Sequence, residues 1–283
     1  MNKTSHIKDT ADAIKGIVKA VPIYQDMVQP AAKEIGQNLE TAAKSVRLVL
    51  APVAALVWGY DKIKDYVQAS LAEKLKDIPK ERLVTPNPTV AGPALEALKF
   101  AGHNPNLREL YANLLATSID SKTAHEAHPA FVEIIRQLTP DEARIVKYIF
   151  ERMYLPIITV RVNLPEKGGG FDYYSDFSDV AEKTECQFQN LTPQYLGNIC
   201  RLGLAEFHRN NYIADEEMYR PLENHRAILG LKKQIKKQFK SEALIVREHI
   251  GITEWGRQFC KACVMPKNEE PKKSTTSKRG KRV

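Results

Sequence analysis

Apolar residues recur at helical spacing from the start of the chain. Ile7, Ala11, Ile14, Ile17, Val18 and Val21 share one face while lysines and aspartates fill the other, which predicts an amphipathic helix ending near Pro22. A second helical stretch over about residues 31–43 leads into Leu48–Tyr60, LVLAPVAALVWGY, which carries no charge. Thirteen helical residues rise about 20 Å, whereas a bilayer core needs about 30 Å, and Pro52 would kink the run, so an ordinary membrane span is not expected. Two readings stay open. The segment is a core helix wrapped by others, or it enters or lies on a membrane. In the second reading Leu48, Val49, Val53, Leu56, Val57, Trp58 and Tyr60 are the contacts, and Arg47, Lys62 and Lys64 sit near headgroups.

Ile63–Ile78 continues as an amphipathic helix with Val67, Leu71 and Leu75 inward. Val84–Pro93, with three prolines and a glycine, predicts an extended connector, Pro93 falling in the first turn of a helix over Ala94–Ala101. Further helices carry Leu107, Leu110, Tyr111, Leu114 and Leu115, then Phe131, Ile134, Ile135 and Leu138. Thr139-Pro-Asp-Glu142 is a helix start, with a capping threonine, a first-turn proline and acids near the positive end of the dipole.

From there the periodicity changes. Ile157–Val162 is short and β-branched, and Gly168–Gly170 with Asp172 reads as a mobile loop. A helix follows from Leu191-Thr-Pro193, then strands over Leu204–Arg209 and Ala243–Ile252, and a last helix from Thr253 to Cys263. Two helices with a turn, a β-hairpin and a closing helix form the order of a winged helix-turn-helix. The expected fold is therefore mainly α: a helical domain over 1–138, a small α+β winged-helix-like domain over 139–264, and a disordered basic tail over 265–283.

Charge changes this picture less than its total suggests. The net charge of +8 would point to an anionic partner, but seven basic and two acidic residues lie between Met265 and Val283, so +5 belongs to the tail and the folded body is near neutral. Four cysteines do not make a disulfide scaffold in a chain of 283 residues, and the charged N-terminus does not look like a secretory signal. The expected location is cytoplasmic, peripheral at the inner membrane if the apolar segment lies on lipid.

The chain shows no phosphate loop, dinucleotide fingerprint, nucleophile elbow or zinc-protease helix. Cys260 and Cys263 end an apolar helix, where cysteine packs as a small hydrophobe; a zinc site would need two more ligands, and Cys186 and Cys200 lie on separate elements. His125 and His128 could share a metal on one helical turn, but His128-Pro129 stands at a helix entrance, where histidine caps or packs. Lys232, Lys233, Lys236 and Lys237 lie on one side of a helix, either as a solvated face or as an anion-binding patch for phosphates. No catalytic residue, metal or cofactor is expected.

The middle of the chain carries a resemblance. Asn104-Pro-Asn-Leu-Arg-Glu-Leu-Tyr-Ala-Asn-Leu-Leu-Ala116, Ser118-Ile-Asp120 and His128-Pro-Ala-Phe through Thr139-Pro-Asp-Glu-Ala143, with the ending Ile252–Cys263, resemble the abortive infection alpha family. The motif positions are Leu107, Leu110, Leu114, Asp120, His128, Pro129, Phe131, Leu138 and Asp141. The resemblance implies defence against phage and supplies no catalytic residues. The expected protein therefore works by binding a phage component, a partner protein or a membrane surface rather than by catalysis, with an oligomer and nucleic acid left open as further partners. A winged-helix DNA-binding regulator is the alternative, with residues 193–202 as its reading helix. Only Arg201 there is basic, beside Gln194 and Asn198, which is poor for a helix that must contact phosphates and bases.

Overall fold

The computed structural model describes residues 60–164 and 168–265. The helix expected near the N-terminus, the run Leu48–Trp58 and the tail past 265 lie outside the described residues, and Tyr60 opens the first helix. What is described is mainly helical with one small antiparallel sheet.

Helix α1 (Tyr60–Leu75) buries Val67, Leu71 and Leu75, one per turn. Helix α2 (Pro88–Ala101) begins earlier than the proline pattern suggests, which shortens the expected connector. The Asn87 side chain accepts the Thr89 N–H at 3.0 Å and Pro88 takes the first turn, where its missing N–H costs nothing. Pro93 therefore lies inside the helix, and burial of Val90, Ala91 and Ala94 offsets the hydrogen bond it removes.

Helix α3 (Pro105–Ile119) starts on Asn104, which accepts from the N–H groups of Asn106 and Leu107 at 3.0 and 3.3 Å. Every residue from Leu110 to Ile119 is buried. A helix buried all round lies at the centre, and α3 packs against α1, α2, α4 (Ala130–Arg136), α5 (Pro140–Arg152) and the last helix, α10 (Glu254–Cys263). Two of its buried polar residues, Asn113 and Thr117, face α10. Asn113 Nδ2 donates to the Cys263 carbonyl at 2.9 Å and Thr117 Oγ1 to the Ala262 carbonyl at 3.0 Å. Carbonyls in the last turn of a helix have no partner within it, so α3 supplies the cap for α10.

The start of α5 is a full capping box: Thr139 Oγ1 accepts the Glu142 N–H at 3.2 Å, and Glu142 accepts the Thr139 N–H at 2.6 Å. Met153, left-handed at φ 70°, turns the chain into the sheet. The strands are β1 (Tyr154–Leu164), β2 (Gly169–Phe177), β3 (Ala205–His208) and β4 (Ala243–Ile252), in the order β2-β1-β4-β3. Between β2 and β3 lie α6 (Val180–Lys183) and α7 (Thr192–Arg201); between β3 and β4 lie α8 (Arg220–Glu223) and α9 (Arg226–Phe239).

The sheet corrects two expectations. Gly168–Gly170 is not a loop: Gly168 alone turns, at φ +67°, while Gly169 and Gly170 open strand β2. A Cβ on Gly170 would stand 2.5 Å from the Val162 carbonyl oxygen, so this glycine permits close strand pairing. The second correction concerns the expected hairpin. Residues 205–208 do pair with 249–252, but α8 and α9 come between the two strands, and the central partner of β4 is the eleven-residue β1.

Alternation gives the sheet two different faces. Ile158, Val160 and Val162 meet Tyr219, Leu222, Ile228 and Ile235 from the α8–α9 segment. Leu155, Ile157, Ile250 and Ile252 join a core that runs from Val67 to Cys263 and draws residues from both sides of position 138.

Thr117→Val keeps the side-chain shape but leaves the Ala262 carbonyl without its donor in the core. We expect the unfolding free energy to fall by about 1–3 kcal/mol, read as a lower urea midpoint at unchanged slope. An unchanged midpoint would mean that this carbonyl does not depend on α3.

Candidate functional site

The sheet face that carries Leu155 and Ile157 joins the helical core. Beyond Ile157 the face opens into a cleft of about 510 Å³, lined by Thr159 and Arg161 of β1, Asp172 and Ser175 of β2, Val246 and Glu248 of β4, and Arg209 and Asn210 just past β3. Antiparallel pairing puts these side chains together: Thr159 lies opposite Val246, and Arg161 opposite Asp172.

Glu248 forms the floor and is only 5% exposed. Its Oε2 accepts from Arg209 Nη1 at 2.8 Å and from Thr159 Oγ1 at 3.3 Å. The same Arg209 nitrogen donates to Asp176 at 2.6 Å, and the guanidinium carbon stands 4.3 Å from the Phe207 ring centre. The hydrogen bond to Asp176 raises the Arg209 pKa most; burial opposes the rise and Glu248 adds to it, so the guanidinium stays charged. Across the cleft, Arg161 donates to Asp172 at 2.8 Å and to the Gly170 carbonyl at 3.2 Å. Behind the floor, Tyr219 donates to the Glu248 carbonyl at 2.9 Å and accepts the Ile213 N–H at 2.9 Å. Arg247 points to that opposite face and pairs with Glu223 and Glu216 at 2.5 and 3.0 Å.

Chemically the cleft offers fixed donors and acceptors. Asp172, Asp176 and Glu248 are each paired with an arginine through one carboxylate oxygen. Among the described residues no group of three or more His, Cys, Asp or Glu is placed to hold a metal ion. Cys260 and Cys263 are fully buried, and burial pushes both thiols well up, away from reactive thiolates.

The motif positions lie elsewhere. Leu110, Leu114, Phe131 and Leu138 are core residues, and Leu107 packs on the core from its edge. Asp120, 1% exposed, accepts from Arg82 Nε and Nη2 at 2.9 and 2.5 Å and from the Lys122 N–H at 3.1 Å, pinning the segment before α2 to the end of α3. Pro129 precedes α4, where His128 Nδ1 accepts the Ala130 N–H at 3.1 Å. The His128 ring stands edge-on to Trp255 at 5.1 Å, and Phe131 meets Trp255 and Phe259 at 4.7 and 5.5 Å. His125 is exposed in the short turn before it.

Asp141 ties α5 to the loop before α7. Its carboxylate accepts from the N–H groups of Gln187 and Phe188 at 3.1 and 3.2 Å, from Tyr195 Oη at 2.8 Å, and from Arg144. Burial alone would raise its pKa, but the Gln187 N–H, the Tyr195 hydroxyl, the Phe188 N–H and Arg144 together hold it below the usual carboxylate range.

The structure divides the four lysines of α9. Lys232 is half-buried and donates to the Glu223 carbonyl at 3.4 Å, and Lys236 pairs with Glu242 at 2.6 Å. Lys233 and Lys237 are exposed. The membrane-contact candidates Leu48, Val49, Val53, Leu56, Val57 and Trp58 lie outside the described residues, as does the side chain of Tyr60. Sequence reasoning did not identify the cleft residues. The available signal was polar Thr159 and Arg161 alternating with apolar neighbours in β1, and Glu248 doing the same in β4.

A family model described as abortive infection alpha matches residues 59–263. No curated protein matches. A solved structure of an uncharacterized protein from the hydrocarbon-degrading marine bacterium Alcanivorax borkumensis SK2 is similar over 49% of this chain and 92% of its own, at 17% identity and a TM-score of 0.33.

Asp141 sets a pH test. Its pKa is depressed by folding, so its stabilisation is complete above the unfolded value of about 3.9 and is lost as pH falls through the folded value. We expect wild type to exceed Asp141→Asn in urea midpoint at pH 6 and the gap to narrow below about pH 4. A gap independent of pH would contradict the ionised clamp.

Proposed function

The chain belongs to the abortive infection alpha family, and from that premise we propose that it serves phage defence by binding a phage component or partner protein in the cleft, without catalysis. One observation carries the reading: the cleft's acids are already engaged, Asp172 by Arg161, and Asp176 and Glu248 by Arg209. Such a site suits recognition of a polar group through positioned donors and acceptors. Membrane contact through Leu48–Tyr60 would supply a second attachment. Among the described residues no helix is long and apolar enough to cross a membrane.

The winged-helix regulator is less well supported. In α7, Asn198 Nδ2 donates to the Gln137 carbonyl at 3.1 Å and to Glu142 at 2.9 Å. Arg201 Nη2 donates to Gln137 Oε1 at 2.9 Å and to Asn198 Oδ1 at 2.7 Å. The two side chains best suited to read bases are held by their own chain.

Plating of phage on cells expressing variants tests the proposal. Ser175→Trp fills the cleft from an exposed position and is expected to abolish protection with the thermal midpoint unchanged. Asp172→Asn and Glu248→Gln keep the shape and are expected to retain most of it, whereas loss of a catalytic acid or base costs about 10²–10⁴ in rate. Complete loss of protection in folded Asp172→Asn and Glu248→Gln, with Ser175→Trp active, would overturn binding in favour of chemistry.

A further inference from the structure

Helix α9 carries Arg226, Lys232, Lys233, Lys236 and Lys237, with Lys240 at its end, and no acid lies between 226 and 240. Its buried side is defined by Ile228 and Ile235, which face the sheet. At 100° per residue, Arg226, Lys233 and Lys237 fall on the side opposite these isoleucines, with Lys240 close by, and all four are exposed. The row from Arg226 to Lys240 spans about 21 Å.

Ordinary helix electrostatics accounts for part of this row. Lysines in the last turn suit the negative end of the dipole, which covers Lys236, Lys237 and Lys240. It does not cover Arg226, which opens the helix where an acid would be favoured, nor Lys233, which repels Lys237 one turn away. A face shaped by solvation alone mixes both signs. Gly230 lies within the same row, and a Cβ there would meet nothing within 4 Å. A mid-helix glycine weakens a helix, and among the described residues nothing packs on this one, which lets another backbone come close.

We infer that the outward face of α9 is a docking surface for the phosphate backbone of duplex DNA, engaged by Arg226, Lys233, Lys237 and Lys240 without regard to sequence. The cationic row complements a phosphate-lined groove edge. Single strands need aromatic platforms for their bases; Phe239, the aromatic of α9, packs with Phe171 and Tyr173. A membrane surface would take an apolar helix face; that of α9 is buried against the sheet, with Leu229, 42% exposed, as its outward apolar side chain. The inference goes beyond the cleft, since it uses the other face of the sheet and needs no cleft residue.

The test is fluorescence anisotropy of the full chain with a labelled 24-base-pair duplex between 50 and 300 mM KCl, beside flotation on vesicles containing anionic phospholipid. For Arg226→Gln/Lys233→Gln/Lys237→Gln we expect the slope of log affinity against log salt to shrink by about 2.7, because each phosphate contact contributes about 0.9. Gly230→Gln should weaken binding at every salt concentration and leave the slope unchanged. Circular dichroism of these surface variants should match wild type. Three results would each overturn the inference: no binding of duplex by wild type; equal slopes in wild type and the triple variant, which would place binding in the basic tail; or a triple variant that loses vesicle binding but keeps DNA binding.

Discussion

The fold depends on a polar contact in its driest place. Helix α3 is buried on all sides from Leu110 to Ile119, and there Asn113 and Thr117 donate to the last carbonyls of α10, more than a hundred residues later in the chain. A helix end inside a core must find donors or lose stability, and water cannot reach this one. Apolar packing alone would tolerate α10 sliding along α3; two directed hydrogen bonds fix its depth. Strand β4 runs into α10 through Thr253, which accepts the Gly256 N–H at 2.8 Å and donates to the Gly203 carbonyl at 2.5 Å. The position of α10 thus sets that of β4, and with it the height of Glu248 in the cleft.

A buried carboxylate such as Glu248 is costly unless paired and hydrogen-bonded, and such a pair rarely adds stability over apolar packing. Here its partners offset that cost and fix its place. The construction around it supports that: Arg209 and Thr159 hold the side chain, Tyr219 holds the carbonyl from behind, and the neighbouring Arg247 is drawn to the far face by Glu216 and Glu223. Opposed anchoring of adjacent residues resists a one-residue slip of β4, which would place Arg247 in the cleft and Glu248 against Tyr219.

Much of this was legible in the sequence because it is local. Thr139 with Glu142, and Thr253 before an apolar helix, act within three residues, so the sequence predicts their helices closely. The apolar spacing of Val67, Leu71 and Leu75 likewise became a buried face. What was not legible depends on partners far away. Gly169 and Gly170 read as a loop because nothing nearby reveals that Leu164 and Asn163 will pair with them. The cleft was hidden for the same reason: Arg161, Glu248 and Arg209 come from β1, β4 and the turn after β3, and each alone looks like a surface charge. The motif residues were visible as a pattern but not as a role. Most prove to be core, cap or clamp, which explains why a pattern so recognisable carries so little chemistry.

The sheet also separates two kinds of contact. Thr159, Arg161, Val246 and Glu248 point to the cleft, while Ile158, Val160 and Val162 point to the layer that carries α9. Neighbouring residues of one strand therefore serve opposite surfaces, and a charge change on the outer side of α9 is separated from the cleft by an apolar layer that includes Tyr219 and Ile235. The cleft is shaped and nearly charge-balanced, suited to selecting one partner group. The outward row of α9, Arg226, Lys233, Lys237 and Lys240, is of one sign, and attraction to such a row falls steeply with salt.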